Sequence, residues 1–388
     1  MSPWIVIAHV AVAVGLAFFI PLTLAIPALP LSLKRLHARS RIPLLVGLAL
    51  SSAAFALAWT LADAMRVGAA AGWVLAQVAL VVVGVRLHQD RIFRAVTAAE
   101  VEPDASRSPI PDDARVVVVS VGERARAYPL TYVAHRHIIN DRIGDTRVAV
   151  TFCPACHSAI VYDTTAVGTL RVASFHEGNM VFGDERTRTW WQQATGASLI
   201  GQLHPRELPM LGFELLSWRD ARASYPDVDV VRVTPRDLRP FSLPIPGLWE
   251  RIMKTEFVPW LKRDSMDRRL PARELVVGVQ AVDETLAWRR KEILERGLVF
   301  DPEHRLLLVA HGETVTALHV PAMDAPLSPA LEGDAIVDRT TGARWSRRGR
   351  PLDDGAPPLE PVRTSEEHWY SWSRFHPGTR ILDAGPDA

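Results

Sequence analysis

Three long apolar runs lie near the beginning of the chain. Residues 4–33, 42–62 and 67–85 contain no Asp, Glu, Lys or Arg. At a helical rise of about 1.5 Å per residue, each run can cross a hydrocarbon core of about 30 Å. The pattern therefore predicts a membrane segment over residues 1–98 with about three transmembrane helices, and it makes a lipid bilayer the expected partner.

The pattern changes after residue 98. Residues 99–114 are polar and rich in proline, which is typical of a tether. Beyond them, short runs of β-branched and aromatic residues alternate with Gly, Pro and Asp turns, as at residues 115–121 before Gly122. The expected fold class is therefore an N-terminal α-helical membrane segment followed by a mainly β (α+β) soluble domain.

A repeated segment divides the β-rich part. Residues 184–191 align without a gap with residues 338–345, and Asp, Thr and Trp recur at equal offsets. An Asp that caps a turn and a Trp that packs in the core explain these positions. The repeat predicts two related lobes. The boundaries are a first lobe at 115–233, a proline-rich connection at 234–271 and a second lobe at 272–388.

The distribution of charge limits the possible partners. The whole chain carries a net charge of +1, but residues 1–98 hold eight Lys or Arg against two Asp and therefore carry +6, which leaves −5 for the rest. An acidic β-rich part argues against nucleic-acid binding. The positive-inside rule places the basic loop at residues 34–41 in the cytoplasm. If three helices cross the membrane, the β-rich part that follows them lies in the cytoplasm as well. The sequence identifies no protein or small-molecule partner.

The two cysteines of the chain, Cys153 and Cys156, lie two residues apart on a predicted turn between strands. Thiolates at this spacing can bind one metal ion, and two more ligands must come from elsewhere. The nearby imidazoles are those of His137, His157 and His176. Sulfur and imidazole together favour copper or zinc, so a Cys/His metal site in the first lobe is the leading hypothesis.

Other chemistries for Cys153 and Cys156 stay open. Thiol–disulfide exchange needs a lowered thiol pKa, which His157 or His137 can supply; a mixed disulfide is then expected when only Cys156 is removed. The Cys-x-x-Cys-His pattern also fits covalent haem, but the predicted strands on both sides disfavour it. A buried structural pair in a non-catalytic scaffold or binding module is the remaining alternative, and whether the protein is an enzyme stays open.

Several motifs together carry a family resemblance. They are Tyr128-Pro129, Cys153-Pro154-Ala155-Cys156, Asn179, Asp184, Trp191, Trp218, Tyr225-Pro226 and Trp369-Tyr370-Ser371-Trp372. With these motifs the chain resembles the domain of unknown function 3179 family, in its membrane-attached branch. The likeness is closest over residues 86–235 and looser beyond.

The resemblance implies no activity. Because many relatives look exported, it slightly favours an extracytoplasmic domain, against the loop charges. The chain departs from the family pattern at His157, where relatives usually have Gly, Asn or Arg. It also departs at His176, because relatives often place a histidine one position nearer the following Asn.

Overall fold

The structure is a computed structural model. It describes residues 31–32, 49, 52, 93–102, 104–242, 247–258, 261, 266–281, 283–323 and 326–383. Within these residues the chain is mainly β, with short α-helices. The strands and helices have the following bounds.

The strands are, in chain order, β1 (Val101–Glu102), β2 (Arg115–Val121), β3 (Arg124–Pro129), β4 (Ile138–Ile143), β5 (Thr146–Cys153), β6 (Ser158–Asp163), β7 (Leu170–His176), β8 (Asn179–Asp184), β9 (Trp190–Gln192), β10 (Ser198–Ile200), β11 (Met210–Leu211), β12 (Glu214–Ser217), β13 (Asp229–Val231), β14 (Leu275–Gln280), β15 (Thr285–Arg289), β16 (Leu298–Asp301), β17 (Leu306–His311), β18 (Thr314–His319), β19 (Pro329–Glu332), β20 (Ala335–Asp338), β21 (Arg344–Ser346), β22 (Glu360–Val362), β23 (Thr364–His368) and β24 (Arg380–Leu382). The helices are α1 (Leu130–Arg136), α2 (Trp218–Ser224), α3 (Leu248–Met253), α4 (Arg290–Arg296) and α5 (Trp369–Phe375).

The predicted N-terminal α-helical membrane segment is corrected by this structure. No helix among the described residues is long and apolar enough to cross a membrane. The helices α1 to α5 have six or seven residues, which is about 10 Å of helix against the roughly 30 Å of a hydrocarbon core. The apolar runs behind the prediction lie almost wholly outside the described residues. The predicted multi-pass localisation has the same basis and is likewise not supported, whereas the lipid bilayer as a partner stays a prediction.

Each lobe contains one sheet with the same connections. In the first lobe the sheet order is β1–β13–β3–β2–β12, and in the second it is β23–β14–β15–β24. The pairs β2–β3 and β2–β12 are antiparallel and β3–β13 is parallel, just as β14–β15 and β14–β23 are antiparallel and β15–β24 is parallel. A helix, α2 or α5, links the last two strands in each case. β1 belongs to the predicted tether and joins the first of these sheets.

The smaller sheets also correspond. The order β11–β6–β5–β4 matches β22–β18–β17–β16, and the hairpins β7–β8–β9 match β19–β20–β21. Asp184 and Asp338 cap equivalent turns, since each carboxylate accepts hydrogen bonds from backbone amides of the turn. Trp191 and Trp345 are buried in the corresponding strands β9 and β21.

The cysteine turn is where the two copies differ. In the first lobe β5 and β6 are joined by residues 154–157, with Cys153 paired to Ser158. In the second lobe β17 and β18 are joined by residues 312–313 alone, with His311 paired to Thr314. The dithiol turn is therefore two residues longer than its counterpart, and it replaces a tight hairpin that folds without sulfur.

The sequence pattern misassigned one boundary. A single helix is expected over residues 214–224, but the first four residues form β12 on the edge of the large sheet. Ser217 then caps α2, because its hydroxyl accepts a hydrogen bond from the Asp220 amide. The sequence pattern does not separate the strand from the helix, because Leu215, Leu216 and Trp218 also fit a helical period.

The dithiol lies in an apolar cluster that both lobes complete. Side chains from β5 to β9 pack around Cys153 and Cys156, and Tyr370 of α5 joins them from the second lobe. The backbone continues this contact, since the His368 amide donates to the Cys156 carbonyl oxygen at 2.8 Å. The end of the second lobe thus covers the cysteine turn.

Candidate functional site

The turn between β5 and β6 brings the two sulfurs together. The Cys156 amide donates to the Cys153 carbonyl oxygen at 3.1 Å, which closes the turn, and His157 leaves it with a positive φ of 58°. The two Sγ atoms lie 3.0 Å apart, and both cysteines are free thiols. Both are also fully buried, with 0% of their surface exposed.

Polar groups converge on one sulfur of the pair. The Cys156 Sγ accepts hydrogen bonds from the Cys153 thiol at 3.0 Å, from Asn179 Nδ2 at 3.2 Å and from the Tyr370 hydroxyl at 3.5 Å. Its own thiol proton can be donated to the Gly178 carbonyl oxygen, 3.3 Å away. Three donors around a single sulfur favour a thiolate at Cys156.

The two thiols consequently differ in acidity. Burial raises the pKa of Cys156, and so does the nearby Glu367, but the hydrogen bonds from Cys153, Tyr370 and Asn179 outweigh them and bring this pKa below its ordinary value. Burial and the neighbouring Cys156 raise the pKa of Cys153 well above the ordinary value. When the pair loses a single proton, Cys156 therefore loses it before Cys153, and the Cys153 thiol donates to the resulting thiolate.

Buried amides hold Asn179 in place. Its Oδ1 accepts from Gln192 Nε2 at 2.7 Å and from the Ala194 amide at 3.0 Å, while its Nδ2 also donates to Gln193 Oε1 at 2.9 Å. Because Oδ1 accepts two hydrogen bonds, the amide nitrogen of Asn179 must face Cys156. The donor to the sulfur is thus preorganised by the strands β8 and β9.

One buried histidine, His368, and one partly buried histidine, His157, lie beside the turn. The rings of His157 and His368 are 5.8 Å apart, and the His368 ring stacks on Tyr370 at 6.2 Å. His368 Nδ1 lies 2.9 Å from the Arg273 carbonyl oxygen, so this nitrogen carries the proton. His157 Nδ1 and His368 Nε2 have no hydrogen-bond partner among the described residues. Burial lowers the pKa of His157 to about 4 and that of His368 to about 3.

The other two predicted ligands, His137 and His176, lie next to α1 and at the end of β7. His137 ends α1 and is buried between Phe93, with ring centroids 4.5 Å apart, and Phe241, at 5.5 Å. Burial lowers its pKa to about 3. His176 ends β7, opposite Asn179. Among the described residues, no group of three His, Cys, Asp or Glu ligand atoms within 4.8 Å of one another includes a cysteine.

The donors present therefore do not form a closed four-ligand site around the sulfurs as folded. A copper or zinc site built from Cys153, Cys156 and His137, His157 or His176 stays a prediction. Covalent haem, which the sequence already disfavours, gains no further support, because the turn lies between two strands in the buried core.

One group of potential ligands does occur, in the second lobe. Glu284, Glu303 and His304 bring one ligand atom each within 4.8 Å of one another. His304 is hydrogen-bonded on both ring nitrogens, to Asp301 at 2.6 Å and to Glu284 at 2.8 Å, and Arg380 pairs with Glu303 at 2.6 Å. An ion-pair network accounts for this group without a metal ion.

Sequence reasoning did not assign a role to three residues that touch the sulfurs or their neighbours. They are Asn179, His368 and Tyr370. Asn179 and Tyr370 lie in motifs quoted for the family resemblance, which was the available signal. Nothing local in the sequence places residue 370 beside residue 156, because that contact depends on how the lobes pack.

The fold and the site define a mainly β protein in which one sheet arrangement occurs twice and a buried dithiol lies in its first copy. Residues 92–379 match the family described as "Protein of unknown function (DUF3179)", and the chain belongs to that family. This confirms the resemblance drawn from the motifs, at the level of the family as a whole. No curated protein and no solved structure matches the chain.

Proposed function

We propose that Cys153 and Cys156 form a redox-active dithiol that exchanges with a disulfide substrate. The observation that carries the proposal is the set of three donors around the Cys156 sulfur, at 3.0 to 3.5 Å. A thiolate held 3.0 Å from a second thiol has both the nucleophile and the resolving group that exchange requires.

The exchange has two successive steps. The Cys156 thiolate attacks one sulfur of a substrate disulfide RSSR, forming a mixed disulfide and releasing RS⁻. The leaving thiolate takes the proton of Cys153, and the resulting Cys153 thiolate attacks the Cys156 sulfur and releases the second RS⁻. The dithiol is oxidised by two electrons to a disulfide, and the substrate is reduced to one thiol, RSH, and one thiolate, RS⁻. This order makes Cys156 the attacking residue, the reverse of the order expected from the sequence.

Burial sets a condition on this chemistry. Both sulfurs are fully enclosed, and Tyr370 and Gly178 lie over Cys156. A disulfide can reach the pair only when the contact between α5 and the turn opens locally. Exchange in this protein is therefore gated, and small disulfides react before large ones.

A direct test uses the full chain in glutathione buffers of graded potential. The oxidised fraction is read by alkylation and mass spectrometry. We expect a single two-electron transition, and we expect Cys153→Ser to accumulate a mixed disulfide with glutathione on Cys156. Cys156→Ser should accumulate much less, because the pKa of the remaining thiol is raised.

The competing functions give other results. Copper or zinc that copurifies with the full chain, and that Cys153→Ser/Cys156→Ser abolishes, would support the metal site instead. No disulfide at any potential, together with equal metal content in native and double-variant protein, would leave a structural pair in a scaffold. Mixed disulfide forming mainly on Cys153 would contradict the assignment of Cys156 as the nucleophile.

A further inference from the structure

A cavity of about 430 Å³ lies between the two lobes, on the side of the cysteine hairpin that Phe152 and Ala159 face. Its wall is mostly apolar and comes from both lobes. Its apolar lining includes Leu130, Phe152 and Leu215 from the first lobe and Val315, Ala317 and Val362 from the second. A cavity of this size and lining is typical of a site for a small organic molecule.

The polar part of the lining contains a buried carboxylate. Glu366 is 8% exposed, and its Oε2 accepts from Arg115 at 2.6 Å and from Arg290 at 3.0 Å. Its Oε1 has no hydrogen-bond partner among the residues that the structure describes. A buried carboxylate oxygen with two lone pairs and no donor is costly, so a donor from a ligand would be strongly favoured.

His157 supplies a second polar group in the same lining. Its Nδ1 also lacks a partner within the described part of the chain, and its ring packs edge-on against Phe152 at 5.5 Å. The charged residues of the lining are Glu214, Glu366 and Arg363, and both carboxylates are already paired with arginines, Arg348 and Arg115 respectively. The lining therefore favours a neutral molecule that donates a hydrogen bond.

We propose that this cavity binds a small, neutral, apolar molecule with a hydroxyl group, and that the hydroxyl donates to Glu366 Oε1 beside His157. The proposal stands on the cavity and its unpartnered oxygen, and it does not depend on the redox role of the cysteines. It also gives a physical use to His157, the residue at which this chain departs from the usual family pattern.

The test compares 4-propylphenol with 4-propylanisole on the full chain. The two probes share the apolar body, but methylation removes the hydroxyl donor. Binding is measured by calorimetric titration and by ligand-observed NMR. We expect 4-propylphenol to bind with a stoichiometry of one and the methyl ether to bind at least about tenfold more weakly, because a site with a buried acceptor rejects a ligand that cannot donate to it.

Substitutions in the cavity wall test whether 4-propylphenol binds in this cavity. Ser120 and Thr316 line the cavity but are not buried, so Ser120→Trp and Thr316→Trp narrow it with little risk to the fold. Each should weaken 4-propylphenol binding at least tenfold, whereas the exposed Arg124→Trp on the neighbouring strand should not. Equal affinity for the phenol and its methyl ether would overturn the proposal. So would unchanged binding in both cavity variants, or no binding of the phenol at millimolar concentration.

Discussion

A single hydroxyl group from the far end of the chain helps to set the chemistry of the cysteine turn. Tyr370 lies 214 residues after Cys156, and its OH is 3.5 Å from the sulfur and 3.3 Å from the Gly178 carbonyl oxygen. A hydrogen bond to a charged acceptor in a dry site is stronger than one to a neutral acceptor. The thiolate of Cys156 therefore depends on a residue that the cysteine motif does not contain.

Tyr370→Phe tests this dependence. Loss of the hydroxyl removes one donor to the sulfur, so the pKa of Cys156 should rise and the thiolate should form at higher pH. A lost interaction of about 1.4 kcal/mol would reduce the thiolate fraction about tenfold at a pH below the transition. Ultraviolet absorbance of the thiolate measures it at equilibrium. Tyr128→Phe, which removes a hydroxyl bonded to Asp141, is the control and should leave the titration unchanged.

Buried histidines make stability depend on pH. Burial lowers the pKa of His137 to about 3, so its folded pKa lies below the ordinary value of about 6.5. The neutral ring is fully accommodated above pH 6.5, and the unfolded chain binds the proton first as the pH falls. His137 should therefore remove about 1.4 kcal/mol of stability per pH unit between about pH 6.5 and its folded pKa.

His137→Asn isolates this contribution. Asparagine tolerates the positive φ of 63° at this position and does not titrate. Urea unfolding gives the free energy of unfolding at each pH from about pH 7 to pH 4. The slope of this free energy against pH should correspond to about one bound proton fewer in the variant than in the native chain. His135→Asn, two residues earlier on α1, provides the comparison. If His137→Asn and the native chain keep the same slope, His137 is not the buried neutral group described here.

Sequence reasoning at this scale found the sulfurs but not their partners. The spacing of Cys153 and Cys156 directly predicts a shared turn, because three residues of separation fix their relative positions. Asn179 and Tyr370 reach the sulfur only through the register of β7 and β8 and through packing of the second lobe. Such contacts depend on tertiary structure, which no local pattern encodes.

At the scale of elements, the contact between the large sheet and its helix is filled by different residues in the two lobes. The strand register places Gly278 in the second lobe where the first lobe has Val118. The helices α5 and α2 place Trp372 where the first lobe has Ala221. A Cβ on Gly278 would lie 2.5 Å from the Trp372 ring. A small strand residue therefore accompanies a large helix residue in one copy, and the reverse holds in the other.

Gly278→Ala should consequently destabilise the protein. Overpacking against a buried indole costs roughly 1–3 kcal/mol, measured as the free energy of unfolding in urea. Gly212→Ala is the matched control, because no atom lies within 4 Å of a Cβ at that site. In Gly278→Ala/Trp372→Ala the clash is gone, so the added cost of the glycine change should vanish. An equal cost with and without the tryptophan would contradict this account.

Elements were easier to predict than their boundaries. The valine-rich run at 115–121 and the run that ends at Cys153 are strands, because consecutive buried β-branched residues favour central strands. The membrane segment was wrong for the described chain, and β12 was absorbed into a helix. Apolar character indicates burial from water, but it does not by itself specify which surface provides the burial.

At the scale of the whole molecule, the contact between the lobes both encloses the dithiol and forms the cavity. Glu366 on β23 pairs with Arg115 of the first lobe at 2.6 Å, and its side chain is 6% exposed. Its neighbour His368 on the same strand bonds to the Cys156 carbonyl oxygen. Weakening the ion pair should therefore raise the population of the open state in which the sulfurs meet solvent.

Glu366→Gln tests this coupling through the rate at which Cys153 and Cys156 of the native chain are alkylated. Neutralising one partner leaves the Arg115 guanidinium without its buried counter-ion, which costs several kcal/mol in related sites. Each 1.4 kcal/mol spent on opening raises the exposed population tenfold, so alkylation should accelerate at least tenfold. Glu185→Gln, which breaks the exposed pair with Arg171, should leave the rate unchanged. A lower unfolding midpoint with no change in alkylation would show that the lobe contact stabilises the fold without gating the thiols.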